Sequence, residues 1–270
     1  MKKIFLVLFL FITYITVAQT AQDNFTKGIE KSSKMDFNGA ISDYDQAILL
    51  KPDFAEAYVN RGLAKANLGR VDEALKDYDQ SIKINKKIVE AYINRGSLRF
   101  SIHDYKGALT DYDKVIELRP DMYEGFINRA GAKFSMQDYQ GAITDFTEAI
   151  KINPKSIDSY YNRGLAKANI KDFKGAIDDY NKALELDPKF ANAYNNRGLA
   201  KGNLVDHKGA LQDFNLAIKA NPELSEAYQN RGTSKFQFGD KLGACLDWSK
   251  AGELGYYDAY EYIKKYCNQL

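Results

Sequence analysis

The chain has 270 residues, of which 45% are apolar and 27% are charged, a composition typical of a globular protein. Its 38 Lys and Arg residues nearly balance its 36 Asp and Glu residues, so the formal net charge is only +2. A charge this small excludes a global electrostatic attraction to nucleic acid or to an anionic membrane surface, and we expect neither as a partner.

The first 18 residues, MKKIFLVLFLFITYITVA, predict a secretory signal peptide. Lys2 and Lys3 precede an apolar run that ends with small residues at Ala18. This run is shorter than the roughly 20 residues of a membrane-spanning helix, so we expect cleavage after Ala18 and no stable membrane insertion afterwards. The mature protein would begin at Gln19 and be exported, to the periplasm or out of the cell.

From about residue 21 onward the chain repeats itself every 34 residues. An asparagine column recurs at this step at Asn60, Asn94, Asn128, Asn162, Asn196 and Asn230. An alanine column and an aromatic column recur at the same step, from Ala40 to Ala244 and from Tyr44 to Trp248. A fixed period of this length indicates stacked supersecondary units, none of which can bury its apolar face alone.

Each unit predicts two helices and a short turn between them. In the third unit Tyr92 and Gly96 share one face of a first helix, and Ala108 and Tyr112 share one face of a second. Asp104 lies in the turn and is the predicted N-cap of the second helix. No convincing strand pattern occurs, so the pattern favours an all-α protein.

The spacing of aromatic, Gly, Ala, aromatic, Ala and Pro residues resembles the tetratricopeptide repeat. The resemblance covers about residues 21–258 and implies an all-α, right-handed superhelical solenoid of helix-turn-helix repeats. The implied repeats are 21–54, 55–88, 89–122, 123–156, 157–190, 191–224 and 225–258, followed by a C-terminal capping helix at 259–270. The chain departs from the motif at two positions of the first helices. They carry Arg where the motif has Leu, and Lys or Arg where it has Tyr.

The arginine column needs a partner, since it replaces an apolar residue of the motif. Two antiparallel helices joined by a short turn place Arg95 level with Asp111, and an Asp fills the same column in every unit. We therefore predict a ladder of ion pairs between the two helices of each repeat. Breaking a partly buried pair of this kind costs roughly 3–5 kcal/mol.

The asparagine column is the candidate partner-binding site. The resemblance implies that it faces the concave groove of the solenoid, where members of the family hold the backbone of an extended peptide with such ladders. An Asn side chain both donates and accepts hydrogen bonds, which suits a backbone of any sequence. In the alternative, each Asn bonds the neighbouring repeat and sets the superhelix, and the two roles are compatible.

Four apolar side chains accompany Asn94 and Asn128 and are further candidates for partner contact. They are Ile93, Phe100, Ile127 and Phe134. An apolar patch beside the ladder would suit a protein partner. The alternative is that these residues belong to the core, as aromatic stripes at helical spacing usually do.

The residue inventory predicts no enzyme, no cofactor, no metal and no small-molecule substrate. The two histidines, His103 and His207, lie three units apart, and we expect both to be solvated turn residues. Neither a phosphate-binding loop nor Cys/His metal spacing is present. We therefore expect a scaffold that binds a protein or peptide in its groove. The alternative is an architectural spacer or assembly factor of a cell-envelope complex that uses its convex face or its ends.

The only two cysteines, Cys245 and Cys267, are predicted to form a disulfide. A capping helix antiparallel to the second helix of the seventh unit would bring Cys267 back to the level of Cys245. The bridge would fasten the cap over the last exposed apolar face. The alternative is a pair of buried free thiols that pack as small apolar residues.

Overall fold

The computed structural model describes residues 19–267, and the predicted signal peptide at 1–18 and the final residues 268–270 lie outside that range. Fifteen helices and no strand occur in the described part. They are α1 at 19–33, α2 Phe37–Leu50, α3 Ala55–Asn67, α4 Val71–Ile84, α5 Val89–Ser101, α6 Tyr105–Leu118, α7 Tyr123–Ser135, α8 Tyr139–Ile152, α9 Ile157–Asn169, α10 Phe173–Leu186, α11 Ala191–Asn203, α12 His207–Ala220, α13 Ser225–Gln237, α14 Lys241–Glu253 and α15 Ala259–Tyr266. The prediction of an all-α protein made of helix-turn-helix repeats is confirmed.

The described part of the chain divides into two compact units, one that ends at Ala132 and one that begins at Lys133. After α1, first helices of 13 residues alternate with second helices of 13 or 14 residues in both units, as in α3 and α4 or in α13 and α14. No described helix combines the length and the apolar character that a membrane crossing requires.

The second helices begin at an aspartate cap. The side chain of Asp104 accepts a hydrogen bond from the backbone N–H of Gly107 at 3.0 Å, as predicted. The same bond recurs at Asp36, Asp138, Asp172, Asp206 and Asp240. A Cβ at Gly107 would lie 2.1 Å from the cap carboxylate, so glycine keeps the cap in place. In the second repeat both residues are exchanged together, and Arg70 instead pairs with Glu73 at 2.6 Å.

The core of each repeat lies where the first helix crosses the second. The alanine column is almost completely buried, and the aromatic column packs against the small residues of the first helix. A Cβ on Gly164 would lie 2.7 Å from the ring of Tyr180, and one on Gly198 would lie 2.7 Å from the ring of Phe214. These glycines therefore permit a close helix crossing that a larger side chain would prevent.

The predicted ion-pair ladder is present, and it is denser than the sequence indicated. Nε and Nη2 of Arg197 donate to the two carboxylate oxygens of Asp213 at 2.9 and 2.6 Å. Nζ of Lys201 reaches the same carboxylate at 2.8 Å, which explains why lysine replaces the motif tyrosine. The same arrangement occurs at Arg61, Arg95, Arg163 and Arg231.

Each of these arginines also reaches back to the preceding repeat. Nη1 of Arg197 donates to Oδ1 of Asn181 on the previous second helix at 2.7 Å. The acceptors for the arginines at 61, 95, 129, 163 and 231 are Asp45, Asp79, Asp113, Thr147 and Asn215. Burial disfavours the charge of Arg61, but hydrogen bonds and attraction from Asp77 and Asp45 outweigh it and raise the pKa of this guanidinium.

The last helix, α15, closes the second compact unit. Its Tyr262 and Tyr266 pack against Trp248, with ring centroids 5.3 and 6.0 Å away. Cys267 follows this helix and is joined to Cys245 of α14, with their Cα atoms 5.9 Å apart. The disulfide of the protein in the cell stays a prediction, because oxidation depends on the compartment as well as on the geometry.

Replacing Asp213 by Ala should destabilise the second compact unit by about 3–5 kcal/mol, because it leaves Arg197 and Lys201 without their buried counter-charge. Urea denaturation followed by circular dichroism measures the change. The control is Glu185→Ala, which removes the exposed pair with Lys182 and should leave the denaturation midpoint unchanged. Equal midpoints for both variants would show that the ladder contributes nothing to stability.

Alkylating the mature protein without reduction should label neither cysteine, and reduction should expose both to the reagent. The bridge spans 22 residues of sequence, so replacing both cysteines by Ser should cost about 3 kcal/mol of stability by the loop-entropy model. Mass spectrometry reads the labelling. Two labelled cysteines in the unreduced protein would mean that the thiols are free.

Candidate functional site: the face of the first helices

In each compact unit the asparagine column lies on one side of the first helices, which we call the first-helix face. Each Asn comes directly before an arginine of the ladder, and one residue turns a helix by about 100°. Because the arginine points toward the second helix, its Asn neighbour points away from that contact. All six asparagines are half-buried, so part of each side chain meets solvent.

Two of the asparagines bond the neighbouring repeat. Nδ2 of Asn196 donates to the hydroxyl of Tyr161 at 2.8 Å, and Nδ2 of Asn230 donates to Oδ1 of Asn195 at 2.9 Å. Burial raises the pKa of Tyr161, although the bond with Asn196 works against this shift. These contacts match the alternative in which asparagines fix one repeat against the next.

The other asparagines are not engaged between repeats. Nδ2 of Asn60 donates to the carbonyl of Glu56 in its own helix at 2.9 Å. Within residues 19–267, the side chains of Asn94, Asn128 and Asn162 make no hydrogen bond. Their carboxamides keep both donors and acceptor available to a partner.

A second asparagine column, which the sequence analysis missed, lies seven residues after the first. It consists of Asn67, Asn169 and Asn203, whose Nδ2 atoms donate to the carbonyls of Leu63, Leu165 and Leu199 at 2.9 Å. A step of seven residues is nearly two helical turns, so both columns share one face. The signal was available, because the near-identical stretches NRGLAKAN, NRGLAKAN and NRGLAKGN carry an Asn at each end.

Three equivalent pockets open on the first-helix face, and we name each by the small residue in its wall. The Ala66 and Ala168 pockets measure about 230 Å³ each, and the Gly202 pocket about 200 Å³. Each has an aromatic residue of the second helix in its lining: Tyr78, Tyr180 and Phe214. Each is flanked by one residue from either asparagine column: Asn67 and Asn94, Asn169 and Asn196, Asn203 and Asn230.

The pockets are lined by apolar and uncharged polar side chains, apart from His207 in the Gly202 pocket. None of their lining residues is Asp, Glu, Lys or Arg. Burial raises the pKa of Tyr78 and of Tyr180, so both hydroxyls stay neutral in the physiological range. The pockets therefore suit uncharged groups.

The four apolar candidates of the sequence analysis are all half-buried. Phe100 packs against the core residues Ala108 and Tyr112, and its ring meets Tyr105 edge-on at 5.4 Å. Phe134 meets Tyr139 in the same way at 5.2 Å. Part of each ring thus belongs to the core of its own repeat, and contact of Phe100, Phe134, Ile93 and Ile127 with a partner stays a prediction.

The tetratricopeptide-repeat models match much of the chain. One model described as tetratricopeptide repeat matches residues 55–87 and 157–190, and a second matches 89–122 and 191–224. A third, described as TPR repeat, matches 34–69 and 130–171. The chain belongs to the tetratricopeptide-repeat family. A search among curated proteins found no match.

Solved tetratricopeptide-repeat structures share this fold. A repeat protein from Parabacteroides merdae is 22% identical with a TM-score of 0.66, and the alignment covers 93% of this chain and 100% of that one. The C-terminal part of a repeat protein from Cytophaga hutchinsonii is 18% identical with a TM-score of 0.73, covering 88% and 98%. YrrB, described as a TPR protein with an unusual peptide-binding site, is 20% identical with a TM-score of 0.62, covering 68% and 95%.

Tetratricopeptide-repeat proteins bind proteins or peptides, and such scaffolds are generally not enzymes. Across residues 19–267, no group of three or more His, Cys, Asp and Glu residues is arranged to hold a metal ion. His103 is exposed in its turn as expected, with a positive φ of 63°. The expectation for His207 is wrong, because this residue is half-buried at the start of α12 and lines the Gly202 pocket.

Proposed function

We propose that this protein is a non-enzymatic scaffold that holds an extended segment of another protein along its first-helix face. The observation that carries the proposal is the unpaired carboxamides of Asn94 and Asn128 in the first compact unit and of Asn162 in the second. An Asn side chain can pair with both the N–H and the C=O of a peptide backbone. The described peptide-binding site of YrrB agrees with this class of partner.

The proposed partner is a polypeptide and neither a nucleic acid nor a small molecule. Without the predicted signal peptide and its two lysines, the chain has 36 basic and 36 acidic residues. Its arginines and the lysines beside them are occupied by buried carboxylates, as at Asp179 and Asp247. The first-helix face thus offers neutral hydrogen-bonding groups, which suit a peptide backbone better than a phosphate chain.

A second candidate function is that of an architectural spacer in a cell-envelope complex, working through one end. Leu242 and Leu246 on α14 are each 64% exposed. Preceding repeats carry polar residues at the same positions, for example Lys208 and Gln212. Two neighbouring exposed leucines at four-residue spacing could contact another component there.

Changing Asn94 and Asn162 to Ala should each weaken binding of the captured partner by about 0.5–1.5 kcal/mol without changing thermal stability. Both amides are unpaired in the free protein, so their loss removes only contacts with the partner. The partner is obtained by crosslinking in the native envelope, and titration calorimetry measures its affinity for each variant.

The matched control is Asn230→Ala, which should lower thermal stability because it removes the bond to Asn195. If the partner binds the Asn94 and Asn162 variants as tightly as the parent protein, groove binding is wrong. Loss of the partner on Leu246→Lys alone would establish the architectural function instead.

We further propose that the protein is exported, on the basis of the signal-like residues 1–18. The pairing of its only two cysteines agrees with an oxidising compartment. N-terminal sequencing of protein from the envelope or the culture medium should find Gln19 as the first residue. An intact Met1 on soluble cytoplasmic material would contradict export.

A further inference from the structure

The ring of Phe100 occupies a packing site that has an equivalent position in the other repeats. In the third repeat this ring packs against Ala108 and Tyr112 of the second helix and Ala132 of the next first helix. Tyr105, the first residue of the second helix, closes the site with its edge. The ring therefore fills a gap between two successive first helices and the second helix behind them.

The Ala168 pocket is the same place with the ring missing. The residues that surround Phe100 have equivalents two repeats, or 68 residues, further along the chain. These equivalents are Ala176, Tyr180, Ala200 and Phe173. Tyr180, Ala200 and Phe173 all line the pocket, and Ala176 belongs to the core cluster that Ala168 touches. Ala168 itself stands where Phe100 would be, so the pocket is a vacancy shaped by the fold for an aromatic ring.

The Gly202 pocket repeats this relation one unit later. Its walls include Ala210, Phe214, Ser234 and His207, which correspond to the four residues around Phe100. A Cβ built on Gly202 meets only the Cβ of Ala210, at 3.9 Å, so the space in front of it is open. The Ala66 pocket is the third case, with Tyr78 and Leu98 in the corresponding positions.

We propose that these pockets each receive one uncharged aromatic side chain of the bound segment, a specificity that rests on the proposed function. The ring would enter where Phe100 lies in the third repeat, with an asparagine of each column beside it. The fold thus supplies the ring itself in some repeats and takes it from the partner in others.

The size and the polarity of the pockets agree with this ligand. A cavity of about 150 Å³ is enough to hold a benzene molecule, and the pockets measure about 200–230 Å³. A charged side chain would lose its hydration there without meeting an Asp, Glu, Lys or Arg, because none of these lines a pocket.

The Ala168 and Gly202 pockets are neighbours, since Leu199 and Asn203 line both. Two rings carried by one extended segment can therefore occupy them together. The expected partner sequence has two aromatic residues separated by a short uncharged spacer. Linking two such contacts in one segment raises affinity without any further contact.

The test titrates N-acetyl-phenylalanine methylamide into the purified protein and follows the asparagine side-chain amides by NMR. The signals of Asn169 and Asn196 should shift as the Ala168 pocket fills, and that of Asn230 as the Gly202 pocket fills. The alanine analogue should bind at least about tenfold more weakly, because it lacks the ring that is buried. Equal affinities for the two compounds would overturn the proposal.

Filling a pocket from within provides the matched variants. Ala168→Phe should place the protein's own ring against Phe173 and abolish the shifts of Asn169 and Asn196, while Asn230 still responds. Gly202→Phe should abolish the response of Asn230, whereas Gly202→Ala leaves that pocket open and should keep it. Melting temperatures verify that each variant folds. Shifts that persist in a folded variant carrying the added ring would overturn the proposal.

Binding of the native partner to the variants distinguishes failure of the pocket assignment from failure of the proposed function. Loss of partner binding in the Ala168→Phe and Gly202→Phe variants supports the pockets. If these variants bind the partner normally while the Asn94 and Asn162 variants do not, the scaffold function stands and the pocket assignment is wrong. If all four variants bind normally, both are wrong.

Discussion

The structure depends on a buried carboxylate that joins the two helices of each repeat. Asp213 is only 1% exposed. It accepts two hydrogen bonds from Arg197 and forms an ion pair with Lys201. The same arginine also bonds the preceding repeat through Asn181. One charged cluster thus sets the pairing of helices within a repeat and the stacking of one repeat on the next. It also fixes the rotation of the first helix, which turns the adjacent Asn196 toward the first-helix face.

Much of this arrangement could be predicted because it follows from period and residue type alone. The spacing of Ala108 and Tyr112 predicted the second helix, Asp104 predicted its cap, and the alignment of Arg95 with Asp111 predicted the ion pair. Each of these features is local, since the partners lie within 16 residues of each other. The role of the lysine column was not predicted, because the aspartate column was already assigned to the arginines. The sequence spacing does not show that one buried carboxylate pairs with two cations.

The division of the asparagine column could not be predicted from the column itself, since all six members are identical. Whether an Asn bonds the preceding repeat depends on the residue 35 positions earlier, on the preceding first helix. Asn196 and Asn230 find Tyr161 and Asn195 there. Asn94 is preceded at this distance by Val59, whose side chain has no polar atom and lies in the core. A structural and a binding role are thus distributed along one column by its neighbours.

Differences between repeats are therefore more informative about function than the features that they share. Every repeat must bury its alanine and aromatic columns to be stable, so these positions say little about a partner. The choice between Phe100 and Ala168 at one position has another meaning, because the same surroundings are filled in one repeat and open in the other. A repeat with an open pocket lacks the apolar contacts that an aromatic ring would make there. A partner's ring can supply these contacts on binding.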